Sequence, residues 1–364
     1  MSDLLRLRDM EADDPRREQR LDEIRREAER RGKLQVVSTR PAGAPFPQAS
    51  TDTGYYGIPL LKQPPWTWEI PLYFFAGGAA GAAAVIGAIA DYTGADRELV
   101  QHARWIAAAG SVISPALLIA DLGRPERFLA MLRVFKPQSP MSVGVWTLLG
   151  FSSGAAAAAF AGFLTDRYGP SLPVKVLENA GQAASLLFGL PFSNYTGVLI
   201  GATAIPVWNH NAGDLPLHFA ASGLGAAVGL LELMGHRKSR ALQALGLGAA
   251  IFETWEGLRI EGRSHNHLDP LKHGPSGLIT RTGGVLSGPL PVLLRVASLF
   301  GGERRSSNLR RWASWSSIVG SLITRFAWVH AGHVSARDWR LPLKDHPSAH
   351  QQSQENVRAV PNRS

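Results

Sequence analysis

The sequence predicts an all-α integral membrane protein, a bundle of about eight transmembrane helices between polar termini. Three observations carry this. From residue 55 to residue 338 the chain is built of Ala, Gly, Leu and aromatic residues in blocks of the length a bilayer core requires. Short loops rich in Arg and Lys divide the blocks, and aromatic residues cluster at their edges, as at a membrane–water boundary. Finally, the whole-chain averages, 45% hydrophobic residues and a mean hydropathy of -0.03, suit a soluble protein only because two polar ends dilute an apolar middle. Three regions follow: a charged and Pro-rich extension over 1–54, a transmembrane domain over 55–338, and a tail over 339–364 with the composition of a disordered segment.

The extension opens with a mixed-charge run, RREQRLDEIRREAERR, that reads as a solvated helix with a weak Leu21/Ile24 stripe. It lacks the apolar core of a cleavable signal peptide. Residues 40–54 form a Pro/Gly/Ser linker. Aromatics then gather at Tyr55, Tyr56, Trp66 and Trp68 beside Glu69. Span one is expected from Pro71 to Tyr92, where Gly77, Gly78, Gly81 and Gly87 permit close helix approach. Span two, His102 to Leu122, stops at the acid Asp121 and the turn Gly123-Arg124-Pro125. A short amphipathic surface piece, Glu126 to Phe135, carries Arg127 and Arg133 toward Lys136. Span three is expected over Ser142–Leu164.

Residues 174–208 exceed one straight crossing, and Pro191 interrupts them. The expectation is a tilted or interfacial segment to Leu190, then span four over Phe192–Trp208, with Tyr195 near mid-depth beside the break. Spans five (Leu215–Met234) and six (Ala241–Glu256) follow. A polar loop over 259–283 leads to spans seven (Gly284–Phe300) and eight (Trp312–His330).

Parity then gathers scattered charges. If span one begins on face X, then Glu69, Asp121, Arg124, Glu253, Glu256 and Arg325 all lie toward X. Acids and arginines collected at one end of a bundle point to a binding site. The densest short basic loops lie opposite X, which by the positive-inside rule favours X outside, in the periplasm, and leaves the compartment X faces open. Arg295 sits inside span seven and requires a carboxylate partner, for which Glu253 and Asp121 are the expected candidates.

Several chemistries are excluded by composition or position. The chain has no cysteine, so it holds no thiolate-ligated iron–sulfur cluster, zinc–thiolate site or disulfide of its own. Its histidines fall at span ends or in loops, away from the mid-depth positions that would ligate haem inside a bundle. His265, His267 and His273 lack a matching carboxylate pattern and read as loop residues, not a metal site. The net charge of +9 is spread over loops beside anionic lipid, so the expected partner is the membrane and not nucleic acid. No phosphate loop, nucleophile elbow or HExxH zinc-protease pattern is present.

One family resemblance adds to this reading. Tyr55-Tyr56-Gly57, Trp66-Thr67-Trp68-Glu69-Ile70-Pro71 and Gly77-Gly78 resemble the opening of the NrfD/PsrC family, the membrane anchors of nitrite, polysulfide and related reductases. Asp121-Leu122-Gly123-Arg124-Pro125 and Ser139-Pro140-Met141-Ser142-Val143-Gly144 resemble its central signature, and Asn194-Tyr195-Thr196-Gly197 and Ser335-Ala336-Arg337-Asp338 its later ones. The resemblance implies a haem-free, metal-free, multi-pass subunit in the cell inner membrane. It implies electron exchange between a quinone or quinol (menaquinone or ubiquinone) and a ferredoxin-like iron–sulfur subunit, with a molybdopterin-type catalytic subunit beyond; the anchor would not turn over the terminal substrate by itself. It implies that Tyr195, Trp68, Asn194 and Arg124 surround the quinone and that Asp121 and Glu69 handle its protons. Two other readings remain: a proton- or ion-translocating subunit built on the broken fourth helix, and a purely structural anchor.

Overall fold

The computed structural model describes residues 61–338 except 125, 264 and 265, together with Leu341 and Gln19, Asp22, Glu23, Arg26, Glu27 and Arg30. The chain divides into two compact units, 1–57 and 58–364. In the first, the six described positions are helical and exposed, as a mixed-charge solvated helix requires. The expected linker over 40–54 and the tail beyond Leu341 lie outside the described residues.

The regular structure of the second unit is helical, with no strand among its described residues. Its long helices are α1 (Glu69–Tyr92), α2 (Arg97–Asp121), α4 (Pro140–Tyr168), α5 (Leu172–Gly201), α7 (Leu215–Leu231), α8 (Arg240–Gly262) and α12 (Glu303–Arg337). Shorter ones are α3 (Glu126–Met131), α6 (Pro206–Asn209), α9 (Asp269–Lys272), α10 (Gly274–Ser287) and α11 (Pro289–Ala297). A π-helical turn, Glu232–His236, prolongs α7.

Ala and Gly place α1 at the centre, against α2, α5, α7 and α12. A Cβ at Gly81 would stand 2.6 Å from the carbonyl oxygen of Gly189, and one at Gly223 would stand 2.8 Å from that of Gly78. The backbones of α5 and α7 therefore touch α1 directly, which is how helices associate where lipid removes the hydrophobic incentive. Aromatic rings fill the remaining space: Phe151 stacks on Phe192 at 4.8 Å, and Trp66 on Trp208 at 5.3 Å. Such pairs contribute roughly 0.5–1.5 kcal/mol each. The indole of Trp208 also donates to the Trp328 carbonyl at 2.8 Å, tying α6 to α12.

Five described helices are long and apolar enough to cross a membrane: α1, α2, α4, α5 and α7 with its π turn. The other three expected spans are present as helical segments of different character. Glu253, Glu256, Arg259 and Glu261 make α8 too charged. The expected seventh span breaks at Gly288-Pro289 into α10 and α11. The eighth is a 35-residue helix. At about 1.5 Å per residue it exceeds a bilayer core, and its first turns hold Arg304, Arg305, Arg310 and Arg311.

Two expectations are corrected. Pro191 does not divide the fourth span, because α5 runs unbroken through it to Gly201. Buried Phe192, Ser193, Tyr195 and Thr196 hold the turn after the proline against its neighbours, and a membrane helix tolerates proline when packing secures it. Trp208 belongs instead to α6. Tyr195 therefore lies near the C-terminal end of α5 and not at mid-depth.

Arg295, fully buried, pairs with Glu232 and not with Glu253 or Asp121. Its two terminal nitrogens meet the two carboxylate oxygens at 2.7 and 2.8 Å. Ser314 adds a third hydrogen bond to Glu232, 2.6 Å long. The last turn of α11 and the π turn after α7 meet at the end opposite X, so the nearest acid is the one in that turn.

Candidate functional site

At end X, α2 finishes on Asp121 and the chain entering α1 passes beside it. The Thr67 backbone N–H lies 3.4 Å from Asp121 Oδ1, and the Thr67 hydroxyl 3.5 Å from the same oxygen. That hydroxyl also bonds Glu69 Oε2. It carries one hydrogen and faces two acids, so it can donate to one of them at a time. The sequence placed Asp121 and Glu69 on one face, and the structure joins them through a residue it had not singled out. Trp68, at the N-cap of α1, is exposed; Trp66 is the tryptophan packed inward, edge-on to Phe74 and stacked on Trp208. Arg124 is exposed and forms no ion pair with Asp121 among the described residues.

Eighteen residues of surface chain and α3 return to α4 at the same end. Ser139 caps α4, its hydroxyl accepting from the Ser142 N–H at 3.4 Å, and Pro140 takes the first helical position. Tyr195 reaches this cap: its hydroxyl donates to the Pro140 carbonyl at 2.5 Å. Gly144 makes room, since a Cβ there would sit 1.9 Å from Tyr195 Cζ. Beside this contact is a cleft of about 300 Å³ lined by Gln138, Pro140, Thr147, Asn194, Tyr195 and Val198. Asn194 and Tyr195 thus share one cleft.

A family model described as polysulphide reductase, NrfD, matches residues 60–247. The chain belongs to the NrfD family. Families of this kind supply membrane subunits to polysulfide- and nitrite-reductase-type complexes, in which iron–sulfur and molybdopterin subunits are the general partners. No curated protein matches the chain. The NrfD match takes in α1 through the first third of α8, and with it Thr67, Glu69, Asp121, Asn194 and Tyr195.

The remaining charges expected on face X form a separate group in the second half. Asp214 accepts from Arg259 at 2.8 Å and from Arg263 at 3.1 Å, and Arg259 also lies 3.6 Å from Glu256. Glu253 faces His218 and accepts from Ser287 at 2.9 Å. Arg325 donates to the Phe219 carbonyl at 2.6 Å and lies 3.8 Å above the Phe219 ring. No described hydrogen bond or ion pair joins this group to Asp121, Glu69 or Tyr195. His218, which sequence placed at a span end, is buried inside the NrfD bundle, and only the packing of α8 and α12 reveals this. Of the loop histidines, His265 lies outside the described residues, His267 stacks on His210 at 4.3 Å, and His273 lies 3.7 Å from Asp269.

Proposed function

We propose that this NrfD-family chain is the quinone-reactive membrane subunit of a respiratory oxidoreductase complex, passing electrons between a quinone or quinol and an iron–sulfur partner at end X. One observation carries the reading: a small cleft presenting Asn194 and Tyr195 opens at the same end of the bundle as the Asp121–Thr67–Glu69 cluster. Its residues suit a ring with a carbonyl or hydroxyl group. The Asn194 amide offers both donors and an acceptor. The Tyr195 hydroxyl spends its hydrogen on Pro140 and presents lone pairs, so it accepts from a ring hydroxyl. Val143, Val198 and the prolines supply apolar walls for the ring.

A quinol supplies two electrons and two protons when oxidised. Asn194 and Tyr195 hold and orient its head. Asp121 and Glu69, with one hydroxyl hydrogen between them, have room to take a proton and pass it to water at the surface. Exposed Arg124 and the basic segment after it lie beside this end, where a partner subunit would dock.

The test is quinol-analogue oxidation by the assembled complex carrying Tyr195→Phe. Loss of one hydrogen bond to the bound head lowers turnover by about tenfold. Unchanged turnover removes Tyr195 from the mechanism and leaves the purely structural anchor as the better account.

A further inference from the structure

The second half of the bundle holds a cleft that the Tyr195 reading does not use. About 330 Å³ in volume, it lies between α8, α10 and α12 and reaches His218 on α7. The cleft is mainly apolar, with buried polar side chains at its inner end. His218 is 6% exposed, Glu253 4% and Thr324 5%. Both ring nitrogens of His218, Oε1 of Glu253 and the hydroxyl of Thr324 have no hydrogen-bond partner among the described residues. His218 Nδ1 and Glu253 Oε1 stand 3.3 Å apart, in charge contact but off hydrogen-bond geometry. Leaving several such groups unmatched is costly, and at one place in a fold it points to something that satisfies them.

The chemistry of the wall defines the occupant. His218 and Thr324 can each donate, and Glu253 Oε1 can accept. Glu253 faces His218, and the other two charged residues of the lining, Arg281 and Glu261, pair with each other, so the cleft does not call for a charged ligand. Trp328, edge-on to His218 at 5.9 Å, gives one side an aromatic face. Leu258 and Val285, both largely exposed, flank the opening on the outer surface of α8 and α10, where lipid tails would lie. We infer that this cleft is a second ligand site, taking a neutral, membrane-borne molecule whose aromatic head carries a hydroxyl or carbonyl group, with the head set against the His218–Glu253 end and its apolar tail toward lipid.

The geometry also provides a way to close the cleft without touching its polar wall. Gly257 and Gly284 both line it, and a Cβ at either meets nothing within 4 Å. Gly284→Leu therefore fills the cleft from an open position on a helix. The probe is 2-heptyl-4-hydroxyquinoline N-oxide, an aromatic with an alkyl tail, titrated by fluorescence quenching against the purified full chain in detergent. The proposal expects a binding component that Glu253→Gln and Gly284→Leu each weaken about tenfold or more while Tyr195→Phe leaves it intact. Folding of each variant is read from its thermal unfolding midpoint, and Gly284→Leu keeps the test open should Glu253→Gln not fold. Binding that Gly284→Leu leaves unchanged overturns the proposal, as does binding lost only with Tyr195→Phe. A single component lost with Gly284→Leu and indifferent to Tyr195 upholds this site and counts against the Tyr195 cleft. Displacement of the probe by a short-chain diacylglycerol as readily as by a hydroxylated naphthoquinone overturns the assignment of an aromatic head.

Discussion

Two buried charged groups draw on α7 and α12 at opposite ends and are built on opposite plans. At the end away from X, Glu232 and Arg295 are both fully enclosed, joined by two hydrogen bonds, with Ser314 supplying a third. Toward X, Glu253 and His218 are nearly as buried, yet they face a cleft and leave several polar atoms unmatched. The first arrangement satisfies both carboxylate oxygens and both terminal guanidinium nitrogens internally, leaving only Arg295 Nε unmatched, and so holds helices together. The second keeps hydrogen-bonding capacity in reserve. Burial of a charge does not by itself mark a working site; the number of partners left to find does.

The contrast can be broken most decisively at Arg295. Arg295→Met strands a carboxylate in the core and is expected to cost about 3–5 kcal/mol, read as a collapse in the yield of folded protein and a lower unfolding midpoint. A wild-type-like midpoint would mean that the closed group holds nothing together. Next come the two hydroxyls. Ser314→Ala removes a donor from Glu232 and should cost about 1–2 kcal/mol. Thr324→Val swaps an unmatched hydroxyl for a methyl of similar shape and should be neutral or stabilising in the ligand-free protein. If both substitutions cost the same, the distinction between closed and open groups fails.

The smallest effect belongs to a pair that is not buried at all. Lys238 and Glu303 meet at 2.8 Å in full exposure. The Lys238 hydrogen bond and charge hold the Glu303 carboxyl below its ordinary value, and the same contact raises Lys238. A depressed carboxylate contributes above its unfolded pKa and loses that contribution as pH falls through the folded one. A raised lysine contributes below its unfolded pKa and fades as pH rises through its folded one. The midpoint difference between wild type and Glu303→Gln should therefore be small at neutral pH, shrink in salt, and vanish once pH drops below the carboxylate range. A difference that persists there would show that the pair acts through packing.

Much of the bundle was legible because bilayer crossing demands long apolar runs, and α1, α2, α4 and α7 begin and end close to where hydropathy and turn residues place them. The fourth span was misread because Pro191 looks the same in sequence whether a helix breaks or is clamped straight; the clamp is the packing of Phe192 and its neighbours on other helices. The family motif made Asn194 and Tyr195 readable as a pair, and helix-end position did the same for Glu69 and Asp121. Thr67 went unnoticed because a threonine before a helix carries no signal until its neighbours are in place. The partner of Arg295 was hidden by distance along the chain, although an acid at Glu232 inside an apolar run was a visible clue. His218 and Glu253 approach only when α7 and α8 pack side by side, a fact no local pattern encodes.

The enclosure of α1 bears on how the protein is made. This helix is the first of the bundle to be synthesised, and among its neighbours is α12, the last. While the ribosome is still at work, α1 must wait in lipid with one flank bare. Its small side chains keep that flank open to close backbone approach, so until the right helices arrive it can also accept a wrong one. A nascent chain released before α12 would carry that flank permanently open, a ready mark for membrane quality-control proteases.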